Sequence, residues 1–157
     1  MADATISTGG QLLDGILKGK VPRQVRMFAA QGLLPVSRED LLQLQVVLSA
    51  DPDHDLAATA AASVAEVPEQ YLVEWLRSSR VEALVLDLLV RIRNEEPIWM
   101  AVARSSQVSD ETLRVLARNG SRLVQDVIIT NQIRVMDCLE ILEDLRSNPQ
   151  VDQVVLR

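Results

Sequence analysis

The residues best equipped for chemistry are few and scattered. The one histidine, His54, sits in the run Asp51-Pro52-Asp53-His54-Asp55, whose alternating carboxylates resemble the start of a calcium loop. Such a loop needs glycine at its sixth position and a distal glutamate. Here Leu56 takes that place and the glutamate is missing. Aspartates just ahead of a helix are favoured by its dipole, so the run reads as a solvated helix start. Gly15 to Lys20 ends like a phosphate loop but is one residue short, has Val21 where Ser or Thr belongs, and follows no strand. Cys138, the single cysteine, lies in an apolar-periodic stretch with Leu139 and Leu142 and has no histidine to activate it. That predicts a buried, inert thiol. A lone thiol also excludes an intrachain disulfide and any site needing several thiolates. The pairs Glu95-Glu96, Asp110-Glu111 and Glu143-Asp144 fall at expected helix starts or outer faces, as surface pairs do. No catalytic, metal-ligating or cofactor-binding set emerges, and the chain reads as a non-enzyme.

Residues suited to binding are more orderly. Arg77-Ser78-Ser79-Arg80-Val81 returns as Arg104-Ser105-Ser106-Gln107-Val108, displaced by 27 residues. Val124 to Ile129 returns as Val151 to Leu156 with the same displacement. Two echoes at one spacing indicate a tandem array of units, each too small to bury its apolar face alone. The Arg-Ser-Ser element has a structural reading, in which it ends a helix and bonds the last carbonyls. It also has a functional one, in which Arg77, Arg80 and Arg104 join Arg91, Arg93, Arg118 and Arg122 in a ladder for an acidic partner or a phosphate backbone. Trp75 and Trp99 lie beside expected core residues. An exposed tryptophan would be a binding anchor, since the residue is enriched at interface hot spots.

Composition and charge narrow the partners. Apolar residues make up 48% and aromatics only 3%, so the interior must be built from Leu, Val, Ile and Ala. The net charge of −6 is uneven: residues 51–76 hold six acids and no Lys or Arg, whereas residues 77–157 hold eleven arginines against twelve acids. An acidic balance opposes sequence-independent nucleic-acid binding, which neutralises phosphates. The start lacks the basic and apolar regions of a signal peptide, and no apolar run reaches membrane-spanning length. The expected location is the cytoplasm, with no membrane contact.

The elements that would position these residues are short helices. Residues 1–10 read as a mobile tail and 11–157 as one helical domain, most regular over 77–157. Helices are expected at 11–17, 22–31, 38–48, 53–65, 68–78, 80–93, 95–104, 109–118, 121–130, 134–145 and 150–157, about eleven with no sheet. Ser37, Ser109 and Ser121 suit N-caps, Asp51-Pro52-Asp53 opens a helix with acids that its dipole favours, and Gly32 suits a left-handed helix end. A helix-start motif, Val then a capping residue then a core Leu, recurs at Val36, Val67, Val108 and Val151.

The segment Ala101–Ile129 resembles the leucine-rich repeat variant family and the wider group of HEAT-like helical repeats. The Asp51-Pro52-Asp53 turn before an Ala-rich helix is similar to their inter-helix turns, and Ser147-Asn148-Pro149 to the variant family's Asn-Pro turn. The likeness covers roughly residues 35–157. It implies an all-α, irregular α-solenoid, a right-handed superhelix of stacked helices that acts as a binding scaffold. No cysteine cluster accompanies it, so no iron–sulfur cofactor is implied.

The expected function is therefore a non-catalytic protein–protein interaction module, with Arg77, Arg80, Arg104, Arg118, Arg122, Trp75 and Trp99 as candidate contacts. The alternative is nucleic-acid binding through the arginines. Val151, Val154 and Val155 form an apolar helical face, expected to meet a second copy of the chain or a further domain.

Overall fold

The computed structural model describes residues 2–149, among which there are eleven helices and no strand. The chain divides into two compact units, Met1–Val67 and Pro68–Arg157, where the sequence suggested a single domain over 11–157. The expected helix 150–157, with Val151, Val154 and Val155, lies outside the described residues. No helix among the described residues is long and apolar enough to cross a membrane.

The first unit contains α1 (Ala2–Leu17), α2 (Arg23–Gln31), α3 (Arg38–Leu48) and α4 (His54–Ala65). Helix α1 starts at Ala2 and not at Gln11, so most of the stretch expected as a tail is helical; Gly9 and Gly10 do not interrupt it. Ser37 caps α3 by accepting from the Asp40 amide, and Asp53 caps α4 by accepting from that of Leu56. Gly32 ends α2 with φ +80°, a conformation that costs other residues about 1–2 kcal/mol. Helix α3 packs on α1, α2 and α4, which is why Leu42, Leu44, Gln45, Val46, Val47 and Leu48 are all buried rather than one stripe. Leu44, Leu48 and Leu56 are fully buried with Ala29, Ala30 and Ala60. Each such leucine stabilises by about 1.5–3 kcal/mol, against about 0–1 for an exposed ion pair, so apolar packing dominates.

The second unit contains α5 (Glu69–Ser78), α6 (Ala83–Ile92), α7 (Glu96–Arg104), α8 (Asp110–Asn119), α9 (Arg122–Thr130), α10 (Gln132–Asp137) and α11 (Leu139–Ser147). Helix α7 packs between α5 and α9, and α8 between α6 and α11. Buried positions recur at the displacement of the sequence echo: Trp75 with Val102, Leu76 with Ala103, Val81 with Val108, Leu86 with Leu113 and Leu89 with Leu116. Ser109 and Ser121 cap α8 and α9.

The expected helix 134–145 is broken at Cys138, whose φ of −133° separates α10 from α11. Leu139 is consequently exposed, and Cys138 is only partly buried. The apolar spacing that suggested one continuous helix spans two short ones, of which α10 buries no residue and α11 buries Ile141, Asp144 and Leu145. Partial desolvation and the bond from the thiol to Glu140 push the Cys138 thiol above its ordinary range. It remains a poor nucleophile for a reason other than deep burial.

Candidate functional site

The two copies of the Arg-Ser-Ser element come together in space. Each ends a helix, α5 or α7, and because those helices pack side by side the two helix ends are neighbours. They line one cleft of about 640 Å³, formed by Leu76, Arg77, Ser78, Ser79 and Arg80 from one copy and Ala101, Arg104, Ser105, Ser106 and Gln107 from the other. The lining holds three arginines and no acid. Arg80 donates through Nη2 to Gln107 Oε1 at 3.4 Å, linking the last polar position of one copy to that of the next. Arg77 and Arg104 are exposed at the ends of their helices and make no side-chain hydrogen bond or ion pair among the described residues.

Three of the four serines bond within their own turns. Ser78 Oγ donates to the Glu74 carbonyl, Ser105 Oγ accepts from the Gln107 amide, and Ser106 Oγ accepts from Gln107 Nε2. The structural reading of the element therefore holds for one serine, whereas the arginines do not bond the last carbonyls and project into the cleft. Two helix C-termini bring roughly −0.5 charge each. Three guanidinium groups outweigh that, and the cleft stays cationic by about two charges.

Arg104 also borders two neighbouring depressions. One, with Val73, Arg77, Pro97, Met100 and Ala101, lies between α5 and α7. The other lies between α7 and α9 and is lined by Met100, Ala103, Leu123, Asp126, Val127, Thr130 and Asn131 as well. Leu123 is 51% exposed there, on a helix whose Val124, Gln125 and Ile128 are buried. The cationic cleft thus adjoins, at Arg104, a groove between α7 and α9 whose apolar part is Met100, Ala103, Leu123 and Val127.

Other candidates separate from this site. Arg118 lies on α8 and pairs with Asp144 at 3.7 Å, while Arg114 binds the same carboxylate at 2.7 Å. Asp144 is buried, correcting the expectation that Glu143-Asp144 is a surface pair; Arg114 carries a raised pKa through that bond. Arg122 is at the N-terminal end of α9 and does not line the cleft. Trp75 is 3% exposed and its Nε1 has no hydrogen-bond partner, so it is a core residue and not an anchor. Trp99 is partly buried and donates through Nε1 to the Arg93 carbonyl at 2.7 Å, tying α7 to the turn before it. In that turn Arg93 is bound to Glu95, whose carboxyl is held below the ordinary glutamate range by the guanidinium.

The acidic run is likewise structural. Asp51 pairs with Arg26 and accepts from the Asp53 amide. Asp53 pairs with Arg23, which holds its carboxyl below the ordinary aspartate range. His54 is exposed on the first turn of α4.

A third turn escaped the sequence reading. Asn131-Gln132-Ile133-Arg134-Val135 stands one further displacement along, with Arg134 where Arg80 is and Val135 where Val81 and Val108 are. Arg134 Nη2 donates to the Val108 carbonyl at 2.6 Å and to Asp110 Oδ1 at 2.8 Å. The signal was the Arg-Val pair alone, without the Arg-Ser-Ser that made the first two copies visible. No family model, curated protein or solved structure matches the chain.

Proposed function

We propose that the chain is a non-catalytic protein-binding module, in which the helix pairs of Pro68–Arg157 form a short, irregular α-solenoid and the face made by α5, α7 and α9 holds a segment of a partner protein. The carrying observation is the cleft where two copies of the same element converge, with Arg77 and Arg104 unengaged by the described residues. Rows of helices recurring at one displacement support the solenoid reading, since stacked repeats commonly offer an extended surface to partners. The direct test is selection from an unbiased display library of peptides about twelve residues long. Enrichment of peptides whose binding is lost in Arg104→Glu is the expected result. An empty selection, or enrichment indifferent to Arg104, Leu123 and Val127 together, would show the reading to be wrong.

A further inference from the structure

We infer that the partner segment is acidic and carries an apolar anchor: two or more Asp or Glu side chains in the cleft of Arg77, Arg80 and Arg104, and one aliphatic or aromatic side chain in the groove of Met100, Leu123 and Val127. The inference rests on the reading of α5, α7 and α9 as a protein-binding face and specifies what that face recognises.

The argument begins with what the arginines lack. A guanidinium with five donors binds a planar carboxylate in two-pronged fashion, and the positive charge in the cleft exceeds what two helix ends offset. Ser78 does not compete as an anion ligand, because its hydroxyl proton is given to the Glu74 carbonyl, whereas Ser105 and Ser106 only accept in their turns and can add a donor beside the guanidinium groups. Arg80 is held towards Gln107, which leaves Arg77 and Arg104 as the groups free to turn to a ligand.

The groove supplies the second half of the recognition. It shares Arg104 with the cationic side, and Met100 of the groove is the chain neighbour of Ala101 of the cleft, so a segment crossing α7 touches both. Exposed Leu123 gives a partner an apolar surface to cover, and burying one aliphatic side chain is worth about 1.5–3 kcal/mol. Asp126 on the groove's wall sets direction: it repels carboxylates and sends the acidic end of the segment towards α5. A nucleic acid backbone fits less well, because its evenly spaced phosphates would have to pass Asp126 and Leu123, and the chain as a whole carries −6. Among interfaces, charge sets specificity and encounter rate while buried apolar anchors set much of the affinity.

The test uses the full chain with the display library, followed by the enriched peptide in synthetic, fluorescent form and a single-stranded oligo-dT of similar charge. The expected consensus has at least two Asp or Glu within a few residues of one apolar residue. Arg77→Ser with Arg104→Ser should weaken the peptide roughly tenfold or more, and changing its acids to amides should cost as much in the native chain but little in that double variant. Leu123→Ser should weaken the peptide, and should do so less once the peptide's apolar residue is replaced by serine. A consensus without acids that is still lost in Leu123→Ser would overturn this inference and leave the protein-binding reading standing. Oligo-dT binding tighter than the peptide would overturn it in favour of phosphate recognition. An empty selection would remove both readings.

Discussion

Both units pair arginines with acids, as Arg114 does with Asp144 and Arg134 with Asp110, but the second also keeps two arginines that no described residue engages. In Met1–Val67, Arg23 and Arg26 of α2 reach Asp53 and Asp51 ahead of α4, and both pairs hold two helices together. In Pro68–Arg157, Arg77 and Arg104 end their helices beside a cleft that contains no acid. One set of cations is consumed by the fold, the other is left over. Beyond a favourable place at the negative end of its own helix, neither side chain is engaged by the described residues, and that surplus is the reason to look for a partner there.

Glycine divides the same way. Gly32 and Gly120 each close a helix, and each time a buried glutamine donates to carbonyls at that end: Gln45 to Ala29 and Ala30, Gln125 to Ala117 and Gly120. Gly32 is required for its positive φ, with space around it; Gly120 has an ordinary φ of −73° but no space. A Cβ there would meet the Leu116 carbonyl oxygen and the side chain of Val124.

The sharpest way to break the glycine comparison is Gly120→Ala, expected to cost about 3 kcal/mol because the obstruction includes backbone. Denaturant midpoints give the magnitude, and hydrogen exchange should place the loss in α8 and α9. Asp51→Ala comes next, at about 2 kcal/mol: Asp51 is nearly buried and its loss strands Arg26, though partial exposure of Arg26 softens the effect. If amides of α2 to α4 exchange no faster in that variant, the pair is not a fold element. Gly32→Ala should cost about 1 kcal/mol, from backbone conformation alone.

Acid should weaken both units in the same direction. The Asp53 and Glu95 carboxyls have lowered folded pKa values through Arg23 and Arg93. Their stabilisation is complete above the ordinary carboxylate range and is lost as pH falls through those lowered values. Arg23→Ala should flatten the acid dependence of the melting temperature, and an unchanged slope would separate the pair from acid stability. The smallest effect belongs to Arg77→Ser and Arg104→Ser, each within about 0.5 kcal/mol of the parent. A larger loss would mean that these arginines support the fold after all.

Helix starts were legible because capping is local: Ser37, Ser109 and Ser121 each meet an amide three residues away, as does Asp53 in a run legible only as a helix start. The left-handed end at Gly32 was legible for the same reason. The 27-residue echo led to Arg77, Arg80 and Arg104, whose side chains line one cleft. What stayed hidden depends on residues distant in sequence. Nothing near Asp144 announces that Arg114 and Arg118 will reach it from α8, and nothing near Gln45 or Gln125 announces a helix end to be capped. Asn148, read as part of a turn, donates to the same Ala117 and Gly120 carbonyls as Gln125. The break at Cys138 was masked because an apolar spacing of three and four residues continues across it, although only α11 has buried residues.

The placement of the aromatic residues has an optical consequence. Trp75, Trp99 and Tyr71 all belong to Pro68–Arg157, while Met1–Val67 has Phe28 alone. Emission excited near 295 nm therefore reports on one unit and is blind to the other, whereas far-ultraviolet dichroism sees the helices of both. Melting curves from the two signals superimpose only if the units unfold together. A dichroism transition with no counterpart in emission would be the first unit melting in the dark, and an emission change on adding a partner would come from the unit that carries the cleft.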